Sequence, residues 1–449
     1  MPEHHRLPQS LSWPHLVALG VGAIVGTGIL TLIGVGAGKA GPAVILSFAI
    51  AGLICACAAL AYAEVATMIP ASGSAYTYSY VVFGELVAWI IGWSLILEYS
   101  LVVSAVAVGW SGYLAPLIGI APELANGPHA GGIVNLPAIF IIAVVAGLLI
   151  AGTRESANLN AMLVLVKLAA LALFIFVALP HFNAANFEPF MPYGFPRSGP
   201  SGSEVGVMAA AAIIFFAFYG FDAIATAAEE AKNPGRDLSI GIVGSMLICV
   251  AIYMAVAATA VGALGFQRFA DSPEPLALIL REIGQPWAAW FLAVSAVIAL
   301  PTVILAFFYG QSRIFFTMAR DGLLPQSLAN VSKRGSPTRI TIFTGLVVAV
   351  IAGIFPLDEI AALANAGTLA AFVAVCAAML VLRRREPEAK RKFRTPLAWV
   401  VGPAGILGCF YLFLSLPVKT QTYFLIWNLV GLGVYLVYAS PRAALARKG

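Results

Sequence analysis

Charged residues are scarce in this sequence. Asp, Glu, Lys and Arg together make up 10% of its 449 residues, whereas soluble domains contain roughly 25%. Apolar residues make up 61% of the chain, and the mean hydropathy is +0.94. Because a helix that crosses a bilayer needs about 20 apolar residues, this composition excludes a soluble fold. It predicts an all-α, multi-pass membrane protein.

Cysteine and histidine are also scarce, with five of each. The cysteines lie inside apolar runs, and no group of these residues has the spacing of metal ligands. Neither an Asp-rich metal site nor a Ser/His pair at one face is visible in the sequence. We therefore expect no disulfide, no metal, no cofactor and no enzymatic activity.

The first residues, MPEHHRLPQSLSW, lack the short apolar core and the small-residue cleavage pattern of a signal peptide. The apolar run that follows them is long enough to remain as a membrane span. We therefore expect no cleaved leader and a mature chain that begins at Met1 or Pro2.

Long apolar runs between charged residues, prolines and glycines predict twelve membrane spans, which we number in chain order. An even number of spans places both termini on the same side of the membrane. No soluble domain interrupts the spans, so residues 1–449 are expected to form a single membrane domain. The predicted spans lie near residues 13–38, 42–69, 85–115, 134–151, 156–180, 205–230, 239–265, 286–319, 338–356, 360–383, 398–417 and 422–439.

The basic residues are distributed unequally between the two sides of this arrangement. Nineteen lie in segments on the side of the N-terminus, and five lie in segments on the opposite side. Because Lys and Arg are enriched in cytoplasmic loops, we expect both termini in the cytoplasm and the protein in the cell inner (plasma) membrane. The run of bases at 383–394 is interpreted as an orientation signal that faces anionic membrane lipid, so the net charge of +5 does not indicate a nucleic-acid partner.

Two spans are interrupted near their centres, span 1 by residues 26–28 (Gly-Thr-Gly) and span 6 by residues 219–222 (Tyr-Gly-Phe-Asp). Glycine costs up to about 1 kcal/mol in a helix interior, and a carboxylate at mid-span is expensive. We therefore predict an unwound stretch in each span, with Asp222 as the cap of the second half of span 6. For Gly20 and Gly22 we expect close helix packing instead.

Spans 1 and 6 are five spans apart, which is typical of two inverted five-helix repeats with a central substrate site. The predicted repeats are residues 13–180 and 205–383, followed by two further helices at 398–439. Exposed amide groups at one break and exposed carbonyl groups at the other would bind opposite ends of a zwitterion. This pattern predicts a site for the backbone of an amino acid.

Lys167 and Glu98 lie near the centres of spans 5 and 3. An isolated ammonium group at that depth costs roughly 3 kcal/mol. We interpret Lys167 as a cation that gains and loses a proton where a sodium ion would otherwise hold two helices together; the alternative is a structural lysine tied to helix carbonyls or to a buried acid. Glu98 is either a hydrogen-bonded packing residue or a pocket acid that prefers a basic substrate or passes protons. Glu64, Glu229 and Glu230 are expected to anchor helix ends at the membrane interface.

Five segments of the sequence resemble the amino acid-polyamine-organocation transporters, and specifically bacterial members similar to the cationic amino acid transporters. The resemblance extends from about residue 13 to 439. Together these motifs are highly specific. They are GAIVGTGIL at 22–30, AYAEVATMIPASGSAYTYSY at 61–80, GWSLILEY at 92–99, FFAFYGFDAIATAAEEAKNPGRDLSIGI at 215–242 and GQSRIFFTMARDGLLP at 310–325.

The resemblance implies a leucine-transporter-like core of ten helices with two helices added outside it. It also implies that Gly26, Thr27 and Gly28 bind the substrate carboxylate. Lys167 matches the helix 5 lysine that replaces the sodium ion in proton-coupled relatives. The carbonyl groups implied to receive the substrate amino group belong to Ile24, Phe216, Ala217 and Tyr219.

The sequence therefore predicts a secondary transporter that imports cationic or small neutral L-amino acids with protons and without sodium. The alternatives are an exchanger or uniporter and, less favoured, a sodium symporter, whereas a channel would need a continuous polar stripe. Glu98 favours an Arg or Lys substrate. Tyr219 stands where relatives often carry a smaller aliphatic residue, so it narrows the pocket and favours a small substrate such as Ala.

Twelve spans match the bacterial relatives, whereas vertebrate relatives commonly have fourteen. The sequence does not determine the oligomeric state or whether a small membrane subunit is present.

Overall fold

The computed structural model of the chain describes residues 11–69, 73–151, 157–226, 231–325 and 338–440. Within these ranges the regular structure is helical, apart from two isolated bridges. Eight of the described helices are long and apolar enough to cross a membrane. Shorter apolar helices occur at Trp13–Ile24, Leu136–Ala151, Val207–Ala217 and Thr338–Ile354.

Eighteen α-helices, α1 to α18, follow one another along the described chain. Short 3-10 turns connect several of them, one of which, Phe215–Ala217, continues α10. The α-helices are α1 (Trp13–Ile24), α2 (Thr27–Leu30), α3 (Leu32–Ala40), α4 (Val44–Met68), α5 (Ser74–Phe83), α6 (Glu85–Ile118), α7 (Pro122–Ala125), α8 (Leu136–Ala151), α9 (Ala157–Ala178), α10 (Val207–Ile214), α11 (Asp222–Thr226), α12 (Pro234–Ala263), α13 (Pro275–Glu282), α14 (Pro286–Arg320), α15 (Thr338–Ile354), α16 (Leu357–Arg385), α17 (Ala398–Ser415) and α18 (Val418–Val434).

A helix is found in each of the twelve predicted apolar runs, but several boundaries differ from the prediction. α12 begins at Pro234 rather than near 239, because proline is tolerated in the first turn of a helix. An additional helix, α5, precedes α6, and Gly84 with φ +89° forms the corner between them. The predicted anchors Glu229 and Glu230 lie outside the described residues, as do the first ten residues and several of the predicted cytoplasmic bases.

The predicted interruptions of spans 1 and 6 are confirmed. Span 1 consists of α1, α2 and α3, with Val25 and Gly26 between the first two. Span 6 consists of α10, its 3-10 extension and α11, with residues 218–221 between them. Gly220 has φ +122°, and a Cβ atom there would lie 2.9 Å from the carbonyl carbon of Ala23. The two breaks therefore lie against each other, backbone to backbone.

Small residues allow the close packing that surrounds these breaks. α6 packs along both α14 and α16, and most of its length is buried. A Cβ atom on Gly109 of α6 would lie 2.3 Å from the side chain of Thr27, so α2 sits directly against α6. The packing role expected for Gly20 and Gly22 is confirmed, since Cβ atoms there would lie 2.5 Å from Ser245 and 2.8 Å from Val164.

The last turns of α4 contain a buried carboxylate. Glu64 is 1% exposed and accepts hydrogen bonds from two atoms of Arg383, from Arg391 Nε at 3.1 Å and from the Thr395 amide at 2.8 Å. Glu64 therefore lies near the helix end that the sequence indicates, but it is buried in an ion-pair cluster rather than exposed at the membrane interface. The cluster joins α4, α16 and the segment 386–397.

Candidate functional site

The carboxyl end of α1 presents backbone carbonyl groups that lack partners within the helix, as the last turn of any helix does. Two side chains from other helices bind them. Lys167 Nζ of α9 donates to the Gly22 carbonyl at 2.8 Å, and the Tyr253 hydroxyl of α12 donates to the Ile24 carbonyl at 2.8 Å. A cation at a helix carboxyl end is also stabilised by the helix dipole. Lys167 therefore helps to hold the end of α1 in place.

The amino end of α2 presents donors on the other side of the same break. Gly26 precedes the helix without a side-chain cap, and the first amide groups of a helix have no intrahelical acceptor. Thr27 is fully buried, and within the described chain its hydroxyl oxygen has no hydrogen-bond partner. Amide groups and a hydroxyl at a helix amino end suit a carboxylate. The sequence-predicted carboxylate site is therefore built from residues that can perform that role.

The break in span 6 is held by side chains from α6 and α16. Asn365 Nδ2 donates to the carbonyls of Ala212 and Ile213, at 2.7 and 3.0 Å, where α10 ends. Asp222 Oδ1 accepts from the Gly220 amide at 3.1 Å, and Asp222 Oδ2 accepts from the Tyr99 hydroxyl at 3.0 Å. Asp222 thus binds the unwound stretch before α11, a role related to the predicted cap.

Between the two breaks lies a small cavity of about 10 Å³. This volume is roughly the space of one water molecule, so an amino acid can enter only if the surrounding side chains move apart. In the arrangement described here, the cavity is therefore too small for the substrate that the sequence predicts. The cavity is lined by Ala23, Ile24, Gly26, Thr27, Gly28, Val102, Val106, Phe216, Tyr219, Val303 and Phe307.

Most of the predicted substrate-site residues share this cavity. Ala217 lies behind it, because its Cα atom would be 2.3 Å from a Cβ atom on Gly28. Glu98 is 1% exposed but is not a lining residue, and it packs against Gly367 of α16. Its Oε2 atom has no hydrogen-bond partner in the described part of the chain. The residues that do line the cavity as predicted are Ile24, Gly26, Thr27, Gly28, Phe216 and Tyr219.

Lys167 lies at a second cavity of about 10 Å³. This cavity lies between the break in span 1, α9 and α14, and Val25 and Ser295 are among its lining residues. Lys167 is 5% exposed, so its ammonium group is removed from bulk solvent. The lysine therefore lies beside the break in span 1, but it is not among the residues that line the cavity between the two breaks.

Five apolar residues that line the cavity between the two breaks were not predicted from the sequence, namely Ala23 and four residues on α6 and α14. Val102 and Val106 are one helical turn apart on α6, and Val303 and Phe307 are one turn apart on α14. Residues at i and i+4 share a helix face. In a membrane span, however, most such pairs are apolar, so no signal distinguished these four from lipid-facing residues.

We predict that Gly28→Ala weakens amino acid binding by about 10- to 100-fold, which corresponds to the roughly 1–3 kcal/mol that overpacking costs. The added methyl group would lie 2.3 Å from the Ala217 Cα atom, so the two breaks must separate. Gly147→Ala on α8 is the control, because its methyl group would meet no atom within 4 Å and Gly147 does not line the cavity. Binding is measured by titration of the purified protein. Equal losses in both variants would contradict the close approach at Gly28.

Comparison with known proteins shows the family to which the chain belongs. A family model described as Amino acid permease matches residues 11–437. The chain therefore belongs to the amino acid permease family, and the resemblance to amino acid-polyamine-organocation transporters is confirmed. With its long apolar helices, the chain is a membrane protein of a transporter family, and the expectation that it is not an enzyme is confirmed as well.

Individual relatives cover nearly the whole chain. The chain is 44% identical to the branched-chain amino acid permease BcaP of Bacillus subtilis (strain 168), over 96% of this chain and 93% of that protein. It is 42% identical to the methylthioribose transporter of the same organism, over 98% and 95%. It is 39% identical to the vacuolar cationic amino acid transporter 2 of Arabidopsis thaliana, over 86% of this chain and 61% of that protein.

Proposed function

We propose that this protein is a proton-coupled, sodium-independent importer of neutral amino acids in a bacterial plasma membrane. The observation that carries the proposal is the buried ammonium group of Lys167 on the Gly22 carbonyl, at the break of span 1. A protonated lysine there supplies the positive charge that a sodium ion would supply between two helices. Loss of the proton removes the charge-assisted hydrogen bond and the favourable interaction with the end of α1.

The coupling follows from which helices the lysine connects. α9 carries Lys167, and α1 carries both the Gly22 carbonyl and the end of the substrate cavity at Ile24. Protonation therefore stabilises the arrangement of α1 that completes the site. Release of the proton to the cytoplasm would free α1 to move with α4, α10–α11 and α12 relative to the other helices, as in alternating access.

The proposed topology has twelve spans with both termini in the cytoplasm, as two inverted repeats at 13–180 and 205–383 and two helices at 398–439. Contacts between connecting segments support it. The Lys232 amide donates to the Leu11 carbonyl, and the Tyr76 hydroxyl donates to Asp321. Each of these pairs joins segments that are separated by six predicted spans. Segments separated by an even number of spans lie on the same side of a membrane.

The substrate side chain is proposed to be aliphatic and neutral. The side chains of Val102, Val106, Val303 and Phe307 line the cavity, and none of the described residues that line it is charged. A substrate ammonium or guanidinium group placed there would be buried without a partner, which is costly. Glu98, the residue that favoured a cationic substrate, lies outside the lining. An aliphatic substrate also agrees with the name of the branched-chain amino acid permease relative.

A thermal-shift screen of the twenty amino acids on the purified protein tests this substrate class. We expect the largest increase in unfolding temperature with Val, Leu or Ile, because a ligand at 100 times its Kd stabilises the bound state by about 2.7 kcal/mol. Lys and Arg should give little or no shift. A larger shift with either of them would contradict the proposal and would bring Glu98 into the substrate site.

We also predict that uptake into cells or proteoliposomes is unchanged when sodium is replaced by potassium or choline. A protonophore that collapses the pH gradient should reduce accumulation to the level of equilibration. Both results are expected from the proposed role of Lys167, in which its ammonium group takes the place of a sodium ion. Strict dependence of uptake on sodium would instead assign the protein as a sodium symporter.

A further inference from the structure

A wide groove opens at the proposed cytoplasmic end of the protein, where α12 begins beside the segment 386–397. Its volume is about 710 Å³, which is in the range of sites for small ligands. It is far larger than either of the two cavities between the helices. Its lining residues are Asn233, Pro234, Gly235, Arg236, Ser239 and Lys392.

The groove has two basic side chains, and one of them is held in place by packing. Arg236 and Lys392 are both exposed. A Cβ atom on Gly235 would lie 2.2 Å from Lys392 Cδ and 2.6 Å from Lys392 Cβ, so the lysine stem lies across the first turn of α12. An apolar stem that packs in this way leaves the ammonium group available at its end. The glycine therefore determines where the positive charge of Lys392 is presented.

Other bases of the run 383–394 have roles inside the protein. Arg383 and Arg391 bind the buried carboxylate of Glu64. Arg385 donates to the Val82 carbonyl at 2.9 Å. Lys392, by contrast, lines the groove. In this run, Arg383, Arg385 and Arg391 therefore bind groups of the protein itself. Lys392 faces a space that is wide enough for a ligand.

The groove lies close to the level at which the chain re-enters the membrane. α17 begins at Ala398, six residues after Lys392. The next residue, Trp399, is 59% exposed, and Val400 is 63% exposed. Tryptophan is enriched at the boundary between lipid and water. A molecule in the groove would therefore lie at the depth of lipid headgroups.

We propose that this groove binds the phosphate headgroup of an anionic glycerophospholipid of the cytoplasmic leaflet. Arg236 and Lys392 supply the positive charge and the hydrogen-bond donors that a phosphodiester requires. Basic pockets between membrane helices on the cytoplasmic side bind such headgroups. The proposal depends on the proposed orientation of the chain, but not on proton coupling or on the identity of the transported amino acid.

The test is native mass spectrometry and thermal shift on the full chain in detergent, with added phosphatidylglycerol or phosphatidylcholine. We expect phosphatidylglycerol to remain bound and to raise the unfolding temperature, and phosphatidylcholine to do neither. The double variant Arg236→Gln/Lys392→Gln should retain phosphatidylglycerol about tenfold more weakly. Gly235→Ala keeps both charges but displaces the Lys392 stem, so it should weaken retention as well.

The matched control is Arg384→Gln/Lys390→Gln, which removes the same charges from exposed residues that do not line the groove. It should retain phosphatidylglycerol as the wild type does. Equal retention by the wild type and the groove variant would overturn the proposal, as would an equal loss in the control. Inorganic phosphate and glycerol 1-phosphate are tested alone, and stabilisation by either that matches phosphatidylglycerol would assign the groove to a soluble anion instead. Because lipid binding is read without transport, failure of the proposed transport activity would leave this result unaffected.

Discussion

Replacement of Lys167 by alanine is expected to abolish accumulation of the amino acid and to leave exchange in place. The variant lacks the ammonium group that donates to the Gly22 carbonyl at 2.8 Å. Without a group that gains and loses a proton at the break of span 1, movement of α1 no longer depends on the proton gradient. Lys167 does not line the proposed substrate cavity, so the substitution leaves the residues of that lining unchanged.

The effect can be measured in proteoliposomes with an imposed pH gradient, acidic outside. One pH unit corresponds to about 1.4 kcal/mol per proton. With one proton per substrate, the wild type should therefore accumulate the amino acid about tenfold. Lys167→Ala should give a ratio of about one. Counterflow of labelled substrate, which needs no net proton movement, should continue.

Two further variants separate loss of coupling from loss of structure. Lys167→Met keeps most of the length of the buried side chain without its charge and should show the same loss of accumulation. Lys419→Ala removes an exposed lysine that pairs with Glu359 at 3.2 Å and should accumulate normally. Tenfold accumulation by Lys167→Ala would contradict the coupling role. If Lys167→Met accumulates the amino acid fully and Lys167→Ala does not, the lysine matters for packing. That result would support the alternative in which Lys167 is a structural lysine.

The breaks of spans 1 and 6 were predictable because they depend on local chemistry. Gly26 and Gly28 around Thr27, and Gly220 before Asp222, are poor helix formers in the middle of apolar runs. The importance of Lys167 was predictable as well, because a charge inside the membrane has a high free-energy cost. Its partner was not predictable, because no pattern in the sequence indicates which carbonyl a side chain 145 residues away will meet.

The lining of the substrate cavity was only partly predictable for a related reason. In a soluble protein, an apolar residue on a helix indicates the buried face, but in lipid both faces of a helix are apolar. Val102 and Val303 therefore could not be distinguished from residues that face lipid. Glu98 was placed at mid-span, and the structure directs it toward α16 rather than into the cavity. Its predicted effect on selectivity stays a prediction, which the amino acid screen addresses.

Glu64→Gln is expected to destabilise the protein by about 3–5 kcal/mol, the usual cost of removing one partner from a buried ion pair. The carboxylate accepts hydrogen bonds from Arg383, Arg391 and the Thr395 amide. The side chain of Arg391 is only 2% exposed, so its charge would stay buried without its carboxylate partner. The variant should therefore unfold several degrees below the wild type in detergent, and less of it should reach the membrane.

The exposed pair Lys419–Glu359 is the matched control for this prediction. Its side chains are 43% and 37% exposed, and exposed ion pairs contribute about 0–1 kcal/mol. Glu359→Gln should therefore leave the unfolding temperature nearly unchanged. The double variant Glu64→Gln/Arg383→Gln removes one of the buried charges that has lost its carboxylate partner. It should recover part of the lost stability, because the effects of substitutions at interacting residues are not additive. If Glu64→Gln unfolds at the same temperature as Glu359→Gln, the cluster does not hold α4, α16 and the segment 386–397 together. The positions of Thr395 and Arg391 would then depend on contacts other than those with the Glu64 carboxylate.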